Sequence, residues 1–76
     1  MMNLKIDHKS SVPLHIQAEN LLRELIKQPE YIEGKLLPNE IELAKRLAIS
    51  RSTLRLAINK LVYEELLIRK KGIGTK

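Results

Sequence analysis

Residues 50–59 of this chain concentrate hydroxyl, amide and guanidinium side chains, the groups that bind phosphate oxygens and the edges of bases. The candidate contact residues in this stretch are Ser50, Arg51, Ser52, Thr53, Arg55 and Asn59. A second group combines cations with a glycine, which permits close backbone approach, and consists of Lys70, Lys71 and Gly72. Both groups predict contact with a polyanion, and duplex DNA, RNA and an anionic membrane are the candidates.

The positive charge of the chain is confined to its last third. The chain has 14 Lys and Arg against 9 Asp and Glu, a net charge of +5. Seven cations and seven anions precede residue 51, whereas seven cations and two anions follow from Arg51 onward. Segregated charge of this kind indicates a polyanion-binding surface, and the alternative is a solvated cationic face that keeps the protein soluble.

Length and composition exclude several classes of protein. With 76 residues the chain forms one small domain, and its lack of Cys removes disulfides, thiolate metal sites and thiol nucleophiles. No apolar run approaches the roughly 20 residues of a membrane span and no signal peptide is visible, so we expect a cytoplasmic protein without membrane contact. His8 and His15 are the only histidines and no Gly-rich phosphate loop precedes a helix, so we expect no enzyme, no metal and no cofactor.

The apolar pattern divides the chain into a lead-in and one domain. Residues 1–10 show no sustained periodicity and are predicted to be a flexible lead-in, and residues 11–76 form the domain. Apolar residues at helical spacing predict a first helix over 13–27, with Pro at its first position. Residues 31–38 are predicted to be a connector that contains a candidate short strand at 36–37.

Two more helices are predicted on either side of a tight turn at residues 48–49. Asn39 is a good N-cap and begins a second helix that ends near Leu47. Ser50 is another N-cap and begins a third helix that ends near Glu64. Two helices joined by a turn this short form a helix-turn-helix, in which the later helix enters a major groove of DNA.

The end of the chain is predicted to be a β-hairpin. Runs of β-capable residues at 66–70 and 73–76 flank Lys71-Gly72, a compact turn signal. The predicted fold class is therefore mainly α with a small β wing. It is a winged helix-turn-helix of three helices plus the hairpin, with the strand at 36–37 as an optional third strand.

The predicted third helix has two different faces. At about 100° per residue one stripe faces the core, and it consists of Leu54, Ala57, Ile58 and Leu61. The opposite side carries Ser52, Asn59 and Tyr63, with Arg55 on the flank and Arg51 in the first turn. The outward residues are the candidates for groove contact.

Each outward residue also has an explanation without a ligand. A cation in the first turn of a helix opposes the helix dipole at a cost of about 0.3–1 kcal/mol, which a guanine or phosphate contact by Arg51 would offset. A carboxylate such as Glu40 would offset it equally. Ser50 could serve only as a cap, and Asn59 only as a solvated residue. Leu56 either meets a thymine methyl or packs against the hairpin, and packing is the expected outcome.

These residues together resemble the N-terminal DNA-binding domain of the GntR family of bacterial transcriptional regulators. The matching pieces are Pro13-Leu14-His15-Ile16-Gln17, Leu37-Pro38-Asn39-Glu40 with Leu43-Ala44, Ile49-Ser50-Arg51-Ser52-Thr53-Leu54-Arg55, and Lys71-Gly72-Ile73-Gly74-Thr75. The resemblance implies sequence-specific binding of a double-stranded, palindromic DNA operator by a homodimer, in a regulator that is most often a metabolite-responsive repressor. It also implies base or phosphate contacts by Arg51 and Arg55, backbone contacts by Ser50, Ser52 and Thr53, and Gly72 at the wing tip.

The chain departs from the family pattern in a few places. Ile41 stands where the family often has Arg, and Ala48 and Glu65 stand where it usually has Gly. Family members continue into an effector-binding and dimerising domain, so the resemblance implies that these 76 residues lack that domain and that a small-molecule effector acts through it. A winged-helix module that binds protein or RNA is the alternative function, but the polar outer face of the third helix favours DNA.

Overall fold

The computed structural model describes residues 5–70 and 74–76 and confirms a mainly helical fold with a small β wing. Lys71 and Gly72 lie outside the described residues. The elements in chain order are α1 (Leu14–Leu25), α2 (Pro29–Ile32), α3 (Glu40–Leu47), α4 (Arg51–Tyr63), β1 (Arg69–Lys70) and β2 (Gly74–Thr75).

Helix α1 differs slightly from its predicted bounds. Pro13 is the N-cap rather than the first helical residue, because its ψ of 144° is not helical, and its carbonyl accepts from the backbone N–H groups of Ile16 and Gln17. The Gln17 side chain reaches back to the lead-in: its Oε1 accepts from the Asp7 N–H at 2.8 Å and its Nε2 donates to the Asp7 carbonyl at 2.9 Å. Residues 26–27, predicted to be helical, lie beyond the end of α1.

Helix α2 is a single turn that the sequence analysis missed. The sequence predicts a connector over residues 31–38, but Pro29–Ile32 form one helical turn with Pro at the first position and Gln28 as an extended cap. Four residues are too few to establish a helical period, and Pro at N1 is as compatible with a loop as with a helix.

The core lies where α1 and α3 pack against α4. The predicted inward stripe of α4 is confirmed, with Leu54, Ala57, Ile58 and Leu61 all no more than 2 % exposed. The remaining buried apolar residues are Ala18, Leu22, Leu25, Leu37, Leu43, Ala44, Leu47 and Leu67. Three apolar residues of the predicted first helix, Leu14, Leu21 and Ile26, are only half-buried.

The β wing is shorter than the predicted runs. Arg69 pairs with Thr75 and Lys70 with Gly74 in an antiparallel register. Backbone hydrogen bonds between Ile68 and Lys76 extend this pairing by one position. The candidate third strand at 36–37 reduces to one hydrogen bond, from the Leu37 N–H to the Thr75 carbonyl at 2.9 Å, which ties the wing to the segment before α3.

The turns after α3 and α4 share an unusual backbone conformation. Ala48 has φ 55° and Glu65 has φ 64°, so both are left-handed residues that carry a Cβ. The hydrogen bonds from the Ile49 N–H to the Ala44 carbonyl and from the Ala48 N–H to the Lys45 carbonyl form a Schellman motif, in which glycine usually takes the left-handed position.

The same pair of bonds recurs after α4. The Leu66 N–H donates to the Leu61 carbonyl at 2.9 Å and the Glu65 N–H to the Val62 carbonyl at 3.0 Å. Ala48 and Glu65 therefore stand in turns of the geometry that glycine favours, with a strained left-handed backbone, and neither residue produces a different kind of turn.

We expect Ala48→Gly to stabilise the domain. A left-handed non-Gly residue costs about 1–2 kcal/mol, and the added chain entropy of Gly in the unfolded state returns about 0.4–1 kcal/mol of this, so the expected net gain is about 0.5–1 kcal/mol. Urea denaturation measures it. Ala44→Gly, the same change inside the right-handed α3, is the control and should destabilise by at least about 1 kcal/mol, because it also removes a buried methyl group. A loss of stability in both variants would contradict the strained turn.

Candidate nucleic-acid interface

The outer face of α4 is exposed as the sequence predicts. Arg51, Ser52, Arg55 and Asn59 are all exposed on the side of the helix opposite or flanking the buried stripe. Tyr63 is 83 % exposed, and the Lys60 ammonium lies 5.8 Å from the centre of its ring. Leu56 is 56 % exposed, so the expectation that it packs against the hairpin is wrong, and it adds an apolar spot to this face.

Hydroxyl groups at the start of α4 are already partly engaged with each other. The Ser50 Oγ accepts from the Thr53 backbone N–H at 3.1 Å and donates to the Thr53 Oγ1 at 2.8 Å. Ser50 is therefore a cap whose proton is in use, while the hydroxyl proton of Thr53 remains able to donate to a phosphate. Ser52 is exposed and makes no side-chain hydrogen bond with any other described residue.

Arg51 lies at the junction of the helix-turn-helix and the wing. It lines a cleft of about 370 Å³ together with the start of α3 and strand β2, and the other lining residues are Leu37, Pro38, Asn39, Glu40, Ile41, Ile58, Gly74 and Thr75. No carboxylate within residues 5–70 and 74–76 lies within ion-pair distance of Arg51. Its opposition to the helix dipole is thus uncompensated in the described part of the chain.

Glu40 pairs with two other arginines instead. The Arg55 Nε donates to the Glu40 Oε2 at 3.2 Å, and a terminal nitrogen of Arg69 lies 3.5 Å from the Glu40 Oε1. This carboxylate joins the start of α3 to the flank of α4 and to strand β1. Sequence reasoning missed this cluster, because residues 15 positions apart on different elements carry no periodic signal of contact.

The wing places cations beside the outer face of α4. Lys70 is exposed on β1, and Arg69, which was not among the predicted site residues, also belongs to this surface. Because Arg69 shares a carboxylate with Arg55, and Gly74 and Thr75 share a cleft with Arg51, the wing and α4 form one continuous surface.

The far end of α4 is held by a different ion pair. Arg23 of α1 binds the Glu64 carboxylate with both terminal nitrogens, at 2.6 and 2.9 Å. The hydrogen bond from Arg23 lowers the pKa of Glu64 below its usual value and raises that of Arg23. Arg23 therefore anchors α4 to α1 rather than offering a free cation to a ligand.

No described helix has the length and apolar character needed to cross a bilayer. Within the same residues, no cluster of three or more His, Cys, Asp or Glu side chains could hold a metal ion.

Comparison with known proteins decides the family. The family described as "Bacterial regulatory proteins, gntR family" matches residues 14–76. The chain belongs to the GntR family. A solved structure similar to this chain is that of YtrA from Sulfolobus acidocaldarius, a GntR-family transcription factor, with a TM-score of 0.72, 32% identity and coverage of 92% of this chain and 74% of that one. The winged helix-turn-helix fold and the resemblance seen in the sequence are thus confirmed.

Curated relatives of this GntR domain are named as transcriptional regulators. The uncharacterized HTH-type transcriptional regulator YurK of Bacillus subtilis is 41% identical over 70 residues, which are 92% of this chain and 29% of YurK. The HTH-type transcriptional repressor NagR of the same organism is 40% identical over 72 residues, 95% of this chain and 30% of NagR. The chain spans less than a third of these relatives and is a DNA-binding domain of a transcription regulator.

One departure of this GntR domain changes the chemistry of the interface. Ile41, where the family often has Arg, is 50 % exposed and lines the same cleft as Arg51. An apolar side chain thus stands at a position from which an arginine would reach outward.

Substitution of the two serines that flank Arg51 should have different effects on the free energy of unfolding. Ser50→Ala removes the cap acceptor of α4 and should lower the free energy of unfolding by about 0.5–2 kcal/mol. Ser52→Ala, the matched control, removes only an exposed hydroxyl and should change it by less than about 0.5 kcal/mol. Equal losses in urea denaturation would mean that Ser52 also holds the helix, against its placement on the outer face.

Proposed function

We propose that this domain binds duplex DNA in a sequence-specific way, with α4 in the major groove and the β1–β2 wing on the adjoining backbone. The observation that carries the proposal is the uncompensated cation Arg51 in the first turn of α4, on a surface continuous with the wing cations. A guanine edge accepts a guanidinium bidentately through O6 and N7 and would offset the cost of that position.

The remaining contacts divide by chemistry. Arg55 reads a base or grips a phosphate from the flank of α4, and Asn59 pairs with adenine, whose N6 and N7 suit an amide. Ser52 and Thr53 donate to phosphate oxygens near the helix N-terminus, and Ser50 supports them as a cap. In the wing Lys70, Lys71 and Gly72 contact phosphates or a narrow minor groove.

The whole protein would act as a repressor. NagR carries that word in its name, and the relatives are more than three times as long as the matched region, which leaves room for a further domain. We infer a homodimer on a palindromic operator, controlled by a small-molecule effector that binds outside these residues, in the cytoplasm of a bacterium. Two copies of α4 would then enter successive major grooves about one helical turn apart.

Arg51→Ala and Lys70→Ala should weaken binding in different ways. Loss of a bidentate base contact costs about 1–3 kcal/mol of discrimination, so Arg51→Ala should narrow the gap between matched and mismatched duplexes. Loss of a phosphate contact at Lys70 should weaken binding to every duplex alike. Binding isotherms on both kinds of duplex decide, and equal losses on the two duplexes for Arg51→Ala would remove its base-reading role.

The salt dependence of binding measures the phosphate contacts. If about five or six cations of the basic third meet phosphates, a plot of log K against log salt should have a slope of about −4.5 to −5.5 per bound domain. Titrations between low and physiological salt give this slope. A slope near zero would contradict the interface.

A further inference from the structure

Glu40 contacts both α4 and the wing in the described part of the interface. It is the first residue of α3, and its side chain is 24% exposed. One carboxylate oxygen accepts from the Nε of Arg55 on α4, and the other faces a terminal nitrogen of Arg69 on β1. A single anion therefore lies between the groove helix and the wing, on a surface otherwise arranged for a polyanion.

This anion has two opposing effects on a DNA complex. Its charge repels phosphates and weakens binding to every sequence. Its hydrogen bond with Arg55 and its ion pair with Arg69 also restrict two long side chains, whose rotational freedom would otherwise be lost on binding. Each guanidinium uses only part of its donor set on Glu40, so the remaining N–H groups can still bind a base or a phosphate.

We propose that Glu40 is a positioning residue for sequence discrimination: it fixes Arg55 and Arg69 relative to each other and lowers affinity for duplexes that do not fit this arrangement. The proposal rests on the proposed function, since it concerns which duplex the α4 and wing surface selects. Glu40 thus reduces overall affinity and increases the ratio of specific to non-specific binding.

Glu42 provides a matched control. It lies in the same first turn of α3 and pairs with Arg46 of its own helix at 2.8 Å, and its side chain makes no ion pair or hydrogen bond with the described residues of α4 or the wing. Glu42→Gln and Glu40→Gln change the net charge and the helix terminus alike. Only Glu40→Gln removes the negative charge and the second acceptor oxygen through which one side chain holds both Arg55 and Arg69.

The test compares dissociation constants on the duplex that the wild-type chain selects and on a scrambled duplex of equal length, at one salt concentration. Both variants should bind the scrambled duplex a few-fold more tightly, because each loses one anion. Only Glu40→Gln should reduce the ratio of specific to non-specific affinity, by roughly fivefold to tenfold, which lies within the wider range of coupling found for residues in contact. Equal ratios in the two variants would overturn the proposal.

Two further variants separate positioning from charge and from direct reading. Glu40→Asp keeps the charge but has a shorter side chain, so it should reach Arg55 and Arg69 less well. Its ratio of specific to non-specific affinity should therefore fall, while its affinity for the scrambled duplex stays near that of the wild-type chain. In an Arg55→Ala background, Glu40→Gln should cause little further loss of the ratio. If Glu40→Gln still reduces the affinity ratio in the Arg55→Ala background, and the reduction is confined to one base pair, then Glu40 itself accepts from a cytosine amino group. That result would overturn the positioning role.

A measurement on the free protein guards against misfolding. The Arg55 Nε–H resonance in a nitrogen-15 NMR spectrum should shift in Glu40→Gln and stay unchanged in Glu42→Gln, since Glu40 and not Glu42 accepts from it. An unchanged Arg55 signal in Glu40→Gln would overturn the proposal. Absence of any duplex preference in the wild-type chain would instead defeat the proposed function, so the two failures are distinguishable.

Discussion

Burial of one stripe of α4 is the constraint on which the rest of the structure depends. Leu54, Ala57, Ile58 and Leu61 are almost completely removed from solvent by α1 and α3, in a chain with no disulfide to hold it. Each buried large aliphatic side chain contributes about 1.5–3 kcal/mol. Rotation of α4 about its axis would expose these residues and turn Arg51 and Asn59 inward, so the packing that stabilises the domain also sets the direction of its recognition face.

The turns that flank α4 accept strain in order to keep that packing. Ala48 and Glu65 both have a left-handed backbone, at a cost of about 1–2 kcal/mol each. Ala48 directly follows Leu47, and Glu65 lies two residues before Leu67, and both leucines are only 2 % exposed. Release of either turn would withdraw such a leucine from the core, at a cost of the same order or larger. The core therefore dictates the turns, and the turns set the directions in which the chain enters and leaves α4.

Local signals in the sequence were sufficient for most of the fold. Asn39 and Ser50 cap α3 and α4 as predicted, with side-chain oxygens that accept from Glu42 and Thr53, because capping depends only on residues within one turn. The single turn of α2 was missed because four residues cannot show a period. Residues 36–37 do not form the predicted strand, because the Leu37 N–H makes a single hydrogen bond to the Thr75 carbonyl rather than a series of strand-pairing bonds.

The candidate site was less predictable than the fold. Exposure of Arg51, Ser52 and Asn59 follows from helical geometry alone. The choice of Arg55 and Arg69, rather than Arg51, as partners of Glu40 depends on how three elements meet, which a single sequence does not encode at any fixed spacing. The contact roles of the predicted site residues stay predictions, and among them Lys71 and Gly72 lie outside the described residues.

Selection from a pool of random duplexes, each long enough for two half-sites, tests the central claim most directly. If α4 and the wing read duplex DNA as proposed, the chain at modest salt should enrich a palindromic motif whose half-sites lie about one helical turn, or a multiple of it, apart. Salt-sensitive binding without an enriched motif would contradict sequence-specific recognition and would mean that the chain binds only the phosphate backbone. Absence of binding to any duplex would contradict the account as a whole.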